Sequence, residues 1–348
     1  MDKTVKNILI VFLLVLSFYL LTVLSSILIP LVLAYLFASL FQPLIMLLER
    51  KKVPKWLILP AVVVLTLFIL FILSQIILQT TAEMNDQQEY LLSRLTLKFN
   101  ALFDWINGIT EKYFKTTIDL QSLGALFGGD LFSGMAAGLA RSFGSFTGSF
   151  FMFALYYVVL LSSMSEYRRF IEYVGGGNRK SELLKHYESI QRSIYTYIKI
   201  KTFVSLLTGL LAMIICLAFG IKFALFWGLV TFLLNFIPTV GSIAAVIPPL
   251  IMGIIQFDTL RMMLFLAMCL IGIQVVIGNV VEPIIMSNRL RLNTLTVIFG
   301  LVFWGFLWGI WGMLLSVPLL VIFKLILEQS EEMSFFARLM SIPPENKS

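Results

Sequence analysis

Three groups of residues in the C-terminal third of the chain have the types and spacing to do chemistry. The first is Asn235-Phe236-Ile237-Pro238-Thr239-Val240-Gly241. Pro238 has no N–H, so the carbonyl four residues earlier loses its helical partner. Gly241 lets the chain turn or be approached closely. Asn235 and Thr239 set polar side chains beside that freed backbone, a combination suited to a small polar solute or a cation. The second group is Gln274, Asn279, Glu282 and Pro283. Glu282 is the only acid between Asp258 and Glu328, and it ends an apolar run just before a proline. A carboxylate placed so can exchange a cation for a proton. The third group is Gly305, Gly309 and Gly312, interleaved with Trp304, Trp308 and Trp311 and followed by Pro318. Each group also has a plain structural reading. The first can be a tolerated kink, Glu282 can latch to Arg289 or Arg291, and the tryptophans can be interfacial anchors.

Other chemistries find no support. The one histidine, His186, falls on a polar helix and reads as a solvated surface residue. No Ser-His-Asp or Cys-His set can be assembled, and no metal-ligand spacing is present. Gly175-Gly176-Gly177-Asn178-Arg179-Lys180-Ser181 lacks the spacing of a phosphate loop and follows no strand. Cys216 and Cys269 lie in apolar segments and read as packing residues. The expectation is a protein that is not an enzyme and has no cofactor and no bound metal.

The elements that must position these groups are dictated by composition. Of 348 residues, 59% are hydrophobic and 13% charged, with a mean hydropathy of +0.95. That balance leaves too little polar surface to cover a soluble core. The chain therefore reads as an all-α polytopic membrane protein with six to eight transmembrane helices. Its net charge of +7 comes from bases in short loops, which set topology and do not imply nucleic acid.

Residues 1–80 hold transmembrane helices one to three. Lys3 and Lys6 precede an apolar run too long for a signal peptide. Arg50, Lys51, Lys52 and Lys55 form the strongest positive-inside signal, which puts that loop and both termini in the cytoplasm of a bacterial cell. Residues 81–145 are extracytoplasmic. There Leu91, Leu95, Phe99, Leu102 and Ile106 recur at helical spacing, predicting an amphipathic helix that lies on the membrane, on a neighbouring subunit or on its own chain. Residues 146–201 hold transmembrane helix four, approached through Gly134-x-x-x-Gly138 and Gly144-x-x-x-Gly148, and a basic cytoplasmic segment that includes Lys199 and Lys201. Residues 202–327 are the transport core, and 328–348 a cytoplasmic tail.

Two segments of the core, 224–256 and 295–325, are apolar, too long for one crossing and interrupted by Gly and Pro. A single helix over the first would be about 50 Å long, against a hydrocarbon core of about 30 Å. Gly228-Leu229-Val230 opens one and Gly300-Leu301-Val302 the other. A glycine follows 13 residues later in the first (Gly241) and 12 later in the second (Gly312), then a proline at 7 (Pro248) and 6 (Pro318). If both are re-entrant hairpins, they dip in from opposite sides and form an inverted repeat. If both cross, the count is eight spans. The hairpin reading is preferred. In either case irregular backbone at this depth must be buried in protein or line a cavity.

These residues resemble a known family. Asn235, Ile237-Pro238 and Gly241, then Asn279-Val280-Val281-Glu282-Pro283 with Met286, then Gly305 through Gly312-Met313-Leu314-Leu315 and Val317-Pro318-Leu319 are similar to the autoinducer-2 exporter (AI-2E) family of bacterial membrane proteins. Pro30, Pro43 and Val53-Pro54 look like the start of that family. The chain departs from the family pattern at Thr239, where an aromatic is usual, and at Ser287, where glycine is usual. The resemblance implies a permease of the bacterial cytoplasmic membrane and a homo-oligomer, a pentamer being the form it points to, with a moving domain that contains the hairpins. Some members are linked to export of autoinducer-2, a quorum-sensing signal, and others to sodium/proton antiport.

The expected function is thus secondary transport of a small polar solute such as autoinducer-2. The site would lie between the Asn235–Gly241 and Gly305–Gly312 tips, with the lipid bilayer as surroundings. Monovalent cation/proton antiport through Glu282 is the second reading. A membrane scaffold that uses residues 81–145 for partner binding is the third.

Overall fold

The computed structural model describes residues 3–114, 149–163, 179–286, 292–328 and 333–342, with Gly138 and Tyr173 singly. Its regular elements are helices: α1 (Lys3–Val23), α2 (Ser25–Arg50), α3 (Lys55–Asp86), α4 (Gln88–Phe114), α5 (Ser149–Ser163), α6 (Arg179–Ala218), α7 (Ala224–Leu234), α8 (Val240–Gln256), α9 (Leu260–Val276), a π turn (Ile277–Val281), α10 (Glu282–Met286), α11 (Thr294–Glu328) and α12 (Ser334–Leu339). Six stretches among the described residues are long and apolar enough to cross a membrane. This is the polytopic all-α fold the composition requires. Most of the apolar side chains of α1 are exposed, among them Ile8, Phe12 and Tyr19, as a helix facing lipid needs. The two Gly-x-x-x-Gly approaches to α5, apart from Gly138, lie outside the described residues.

Both interrupted segments fold back as helical hairpins. In the first, the 11-residue α7 and the 17-residue α8 run antiparallel around the turn at 235–239. Such arms are about 16 and 25 Å long, too short to span the hydrocarbon. A Cβ added to Gly241 would overlap the Leu234 carbonyl oxygen, so the two arms meet there backbone to backbone. In the second, α11 reverses at Gly309, whose φ of 61° and ψ of −140° are accessible to glycine. Its arms touch at Gly312 against Trp304, Gly305 against Met313 and Gly300 against Leu320. Those pairs are nested about Gly309, the signature of an antiparallel fold-back.

The hairpins point in opposite directions. The first is rooted where Lys222 N donates to Gln256 Oε1 (2.9 Å) and Gln256 Nε2 to the Gly220 carbonyl (3.3 Å). Lys222 Nζ also donates to Gln87 Oε1 at 2.8 Å, which places this root at the α3–α4 end of the bundle. From there α9, the π turn and α10 run 27 residues to the opposite end, where the second hairpin begins. Asn293 caps its first arm by accepting from Thr296 N (2.7 Å) and donates to the Leu339 carbonyl (2.5 Å). Residues 333–342 of the tail are thus clipped to the root of the second hairpin, with Asn293 N donating to the Met340 carbonyl at 2.9 Å.

Two buried clusters hold these parts. One joins Trp227 and Met252 of the first hairpin to Ile77, Met84, Cys216 and Leu266. The other joins Trp308, Leu315 and Val321 of the second hairpin to Ala34, Ile58, Phe153, Tyr157 and Ile194. Leu91 and Leu95 of α4 are buried in the first cluster, so the amphipathic helix docks on its own chain, against α8. The side chains of Phe99, Leu102 and Ile106 lie outside the described set.

The dock carries an ion pair, Lys98 Nζ to Asp258 Oδ1 at 2.5 Å, and Lys222 Nζ sits 5.3 Å from the Tyr90 ring centre. The hydrogen bond from Lys98, then its charge, hold the exposed Asp258 carboxyl below the usual carboxylate range. A depressed acid contributes binding above its ordinary pKa and loses it as pH falls through the depressed value. Docking of α4 should therefore weaken only below about pH 4. Asp258→Asn should show the loosened state already at neutral pH, read as faster protease cleavage within residues 88–114 of vesicle-embedded protein.

Candidate functional site

The site is built on α6. Tyr197, Lys201, Ser205 and Thr208 recur at helical spacing and form one face of that helix. All four are buried, Lys201 being 3% exposed. An ammonium so buried within an apolar helix is costly unless paired, and in a membrane it marks a functional position by default. Its partner is Glu282, with Lys201 Nζ donating to Glu282 Oε1 at 2.5 Å. One turn along, Ser205 Oγ accepts from Asn235 Nδ2 at 3.0 Å. Asn235 Oδ1 in turn accepts from Ser242 Oγ at 3.4 Å. The tip of the first hairpin and the glutamate-proline element are thus held by adjacent turns of one helix. Thr208 satisfies itself on the Val204 carbonyl (2.8 Å). The Tyr197 hydroxyl is buried and has no hydrogen-bond partner among the described residues.

Local sequence explains each placement. At the hairpin tip Pro238 offers no N–H, and its carbonyl accepts from Val240 N at 2.6 Å. That two-residue link is a γ-turn centred on Thr239, whose φ of 59° and ψ of −59° are strained for a β-branched residue. Thr239→Gly should remove that strain and raise stability by about 1 kcal/mol, measurable as a higher unfolding temperature of the purified protein.

At the second element Pro283 again removes a donor. The helix widens to a π turn over Ile277–Val281, with Glu282 N donating to the Ile277 carbonyl. The inserted residue rotates the downstream turn about the helix axis and carries Glu282 from a lipid-facing helix toward α6. Such π turns cluster at functional sites.

The sequence-predicted residues divide into two sets. Asn235 and Glu282 converge on α6, and Gly241 closes the hairpin that delivers Asn235. Pro238 is partly buried, and Thr239 is exposed at the tip. Gln274 lies two turns before Glu282, partly buried, its Oε1 without a hydrogen-bond partner among the described residues. Asn279 and Pro283 are exposed and shape the π turn. Gly305, Gly309, Gly312 and Pro318 build the second hairpin.

The two tips sit in separate buried clusters. Leu234 packs in the first, whereas Trp308 packs in the second and donates through Nε1 to the Leu21 carbonyl of α1 at 2.9 Å. The polar groups therefore concentrate on α6, where the first tip docks. Arg289 and Arg291, the expected partners of Glu282, lie outside the described residues, and Lys201 holds the carboxylate.

Lys201, Ser205, Ser242 and Tyr197 do not stand out in the sequence as site residues. Lys201 reads as the last base of a cytoplasmic stretch, yet Tyr197-x-x-x-Lys201-x-x-x-Ser205 leads one face of a helix straight into an apolar run. That period is the available signal.

Comparison with known proteins bears on this arrangement. Residues 7–332 match the family described as AI-2E family transporter. A Haemophilus influenzae protein named "Putative transport protein" is 28% identical over 323 residues, 91% of this chain and 90% of its own. The AI-2 transport protein TqsA of Escherichia coli is 44% identical over 156 residues, 44% of this chain and 45% of TqsA. YueF of Bacillus subtilis, which carries the same description as the Haemophilus protein, is 26% identical over 312 residues, 86% of this chain and 83% of its own.

Proposed function

The chain belongs to the AI-2E family of transporters, and from that premise we propose that it is a secondary transporter exporting a small polar solute, with autoinducer-2 the first candidate. The observation that carries this reading is the buried junction on α6. There the strained tip of an opposed hairpin presents Asn235 to Ser205, one turn from the Lys201–Glu282 pair. Amide, hydroxyl, ammonium and carboxylate groups at one depth are what a hydroxylated solute needs to exchange its hydration for protein hydrogen bonds. The name of TqsA supports autoinducer-2 as the solute to try first.

In this reading the solute is moved unchanged and no cofactor takes part. The protein works in the cytoplasmic membrane as a homo-oligomer, with the Arg50–Lys55 loop and both termini in the cytoplasm. Crosslinking in native membranes tests the oligomer.

The functional test is efflux. Cells lacking the protein should accumulate the signal inside, and unchanged efflux would exclude this solute. Asn235→Ala should insert normally and slow efflux about tenfold, equivalent to about 1.4 kcal/mol of lost interaction. Native efflux by that variant would remove the α6 junction from the mechanism.

One observation favours a second reading, cation/proton antiport: Glu282 is a carboxylate largely withdrawn from solvent at the end of a membrane helix. Full sodium/proton exchange by Glu282→Gln in vesicles would exclude it.

A further inference from the structure

Beside Glu282 the chain supplies its own cation, and the two helices that carry the pair hold further oxygen atoms. Gln274, Gly278 and Glu282 stand on successive turns of α9, the π turn and α10. The Gln274 Oε1 is buried and has no hydrogen-bond partner among the described residues. In π spacing the Gly278 carbonyl would accept from residue 283, which is proline and has no N–H. On α6, one turn before Lys201, the Tyr197 hydroxyl is buried and has no hydrogen-bond partner among the described residues. A carboxylate, a side-chain amide oxygen, a backbone carbonyl and a hydroxyl are the hard oxygen donors that alkali cations take. The charge facing them is the Lys201 ammonium, at 2.5 Å from Glu282. The other buried lysine among the described residues, Lys324, has Glu328 at 3.6 Å. Lys201 is therefore the cation assigned to this cluster.

We propose that the Lys201 ammonium is a tethered substitute for a monovalent metal cation at Glu282, so that this transporter works without sodium, and that removing the ammonium uncovers a site for an alkali cation. The physical reason is charge balance. A carboxylate this far from water needs a positive partner. With Lys201 present, a sodium ion would have to enter beside a like charge. With Lys201 gone, the carboxylate is left without its counter-charge, on helices that carry further oxygen donors. The inference rests on Glu282 belonging to the transport machinery, but it is tested by binding alone.

The experiment is thermal unfolding of the purified full-length protein in detergent, in sodium, potassium, lithium or choline chloride at equal ionic strength. A ligand that binds only the folded state raises the unfolding temperature with its concentration. The native protein should unfold at one temperature in all four salts. Lys201→Ala should unfold early in choline and regain stability, saturably, in at least one alkali salt. Lys201→Ala/Glu282→Gln should fold and ignore the cation.

Three results would overturn the proposal. One is an alkali-specific shift in the native protein that Glu282→Gln abolishes, since the cation would then bind beside Lys201. Another is a Lys201→Ala protein indifferent to every cation. The third is a Lys201→Ala protein that cannot be folded in any salt while the double variant folds. None of these readouts involves a solute, so failure here leaves the efflux result standing, and the reverse holds too.

Discussion

Gly241→Ala should leave the first hairpin unable to close. The new Cβ would overlap the Leu234 carbonyl oxygen and stand 2.9 Å from the Ile237 Cβ. Neither obstacle is the end of a flexible side chain, so the arms themselves must separate. Overpacking of this kind costs roughly 3 kcal/mol or more. The separation also withdraws Asn235 from Ser205, so efflux should fall with stability.

Gly312→Ala should behave alike in the second hairpin, where the built Cβ overlaps the Trp304 carbonyl oxygen. Gly272→Ala is the control. It meets nothing within 4 Å on α9, and a helical glycine with open space beside it should gain about 0.5–1 kcal/mol on becoming alanine. Unfolding temperatures of the three variants, read beside efflux, check the account. Equal behaviour of all three would refute the hairpin contacts.

The second large effect belongs to the ion pair. Lys201→Met should cost about 3–5 kcal/mol, because it leaves a carboxylate without a counter-charge in an apolar setting. Glu282→Gln should cost less, since the Glu282 side chain keeps 18% exposure against 4% for Lys201, so the carboxylate is less dependent on its partner. The double variant Lys201→Met/Glu282→Gln should return close to native stability. A buried pair replaced on both sides loses its attraction and its desolvation cost together. An additive double variant, as destabilised as the two single losses combined, would show that the two residues do not interact.

How far the sequence discloses this fold varies by element. The apolar runs, the interrupted segments and their shared Gly and Pro landmarks are plain, because a residue that cannot donate or that has no side chain acts wherever it falls. Gly241 and Gly312, aligned from spacing alone, both prove to be the point where one arm meets the backbone of the other. The choice between fold-back and crossing is not in the composition, since both bury the same residues. It is visible in the nested contacts around Gly309.

The site is less legible. Asn235 and Glu282 announce themselves as polar groups in apolar surroundings. Lys201 does not, because a lysine at the end of a basic stretch looks solvated until the π turn is known to rotate Glu282 toward it. The same applies to Ser205, one hydroxyl among several on α6. The site therefore depends on a register shift of one residue in a helix far along the chain, which local pattern does not encode. The amphipathic α4 is the middle case. Its period predicts a buried face, and only the structure names α8 and α3 as what covers it.

The shortness of the hairpin arms bears on how the protein is made. A translocation channel hands a segment to lipid when it is long enough to cross, and α7 with 11 residues is not. The first hairpin cannot be released alone, because its turn would bring unpaired carbonyls and the Asn235 amide into hydrocarbon with nothing to receive them. Entry must wait until α6 stands in the bilayer with Ser205 exposed to accept that amide, and until α9 closes the other flank. The second hairpin meets the same condition from the opposite leaflet. The short arms therefore predict a two-stage biogenesis, in which the crossing helices are threaded first and the hairpins fold in among them afterwards.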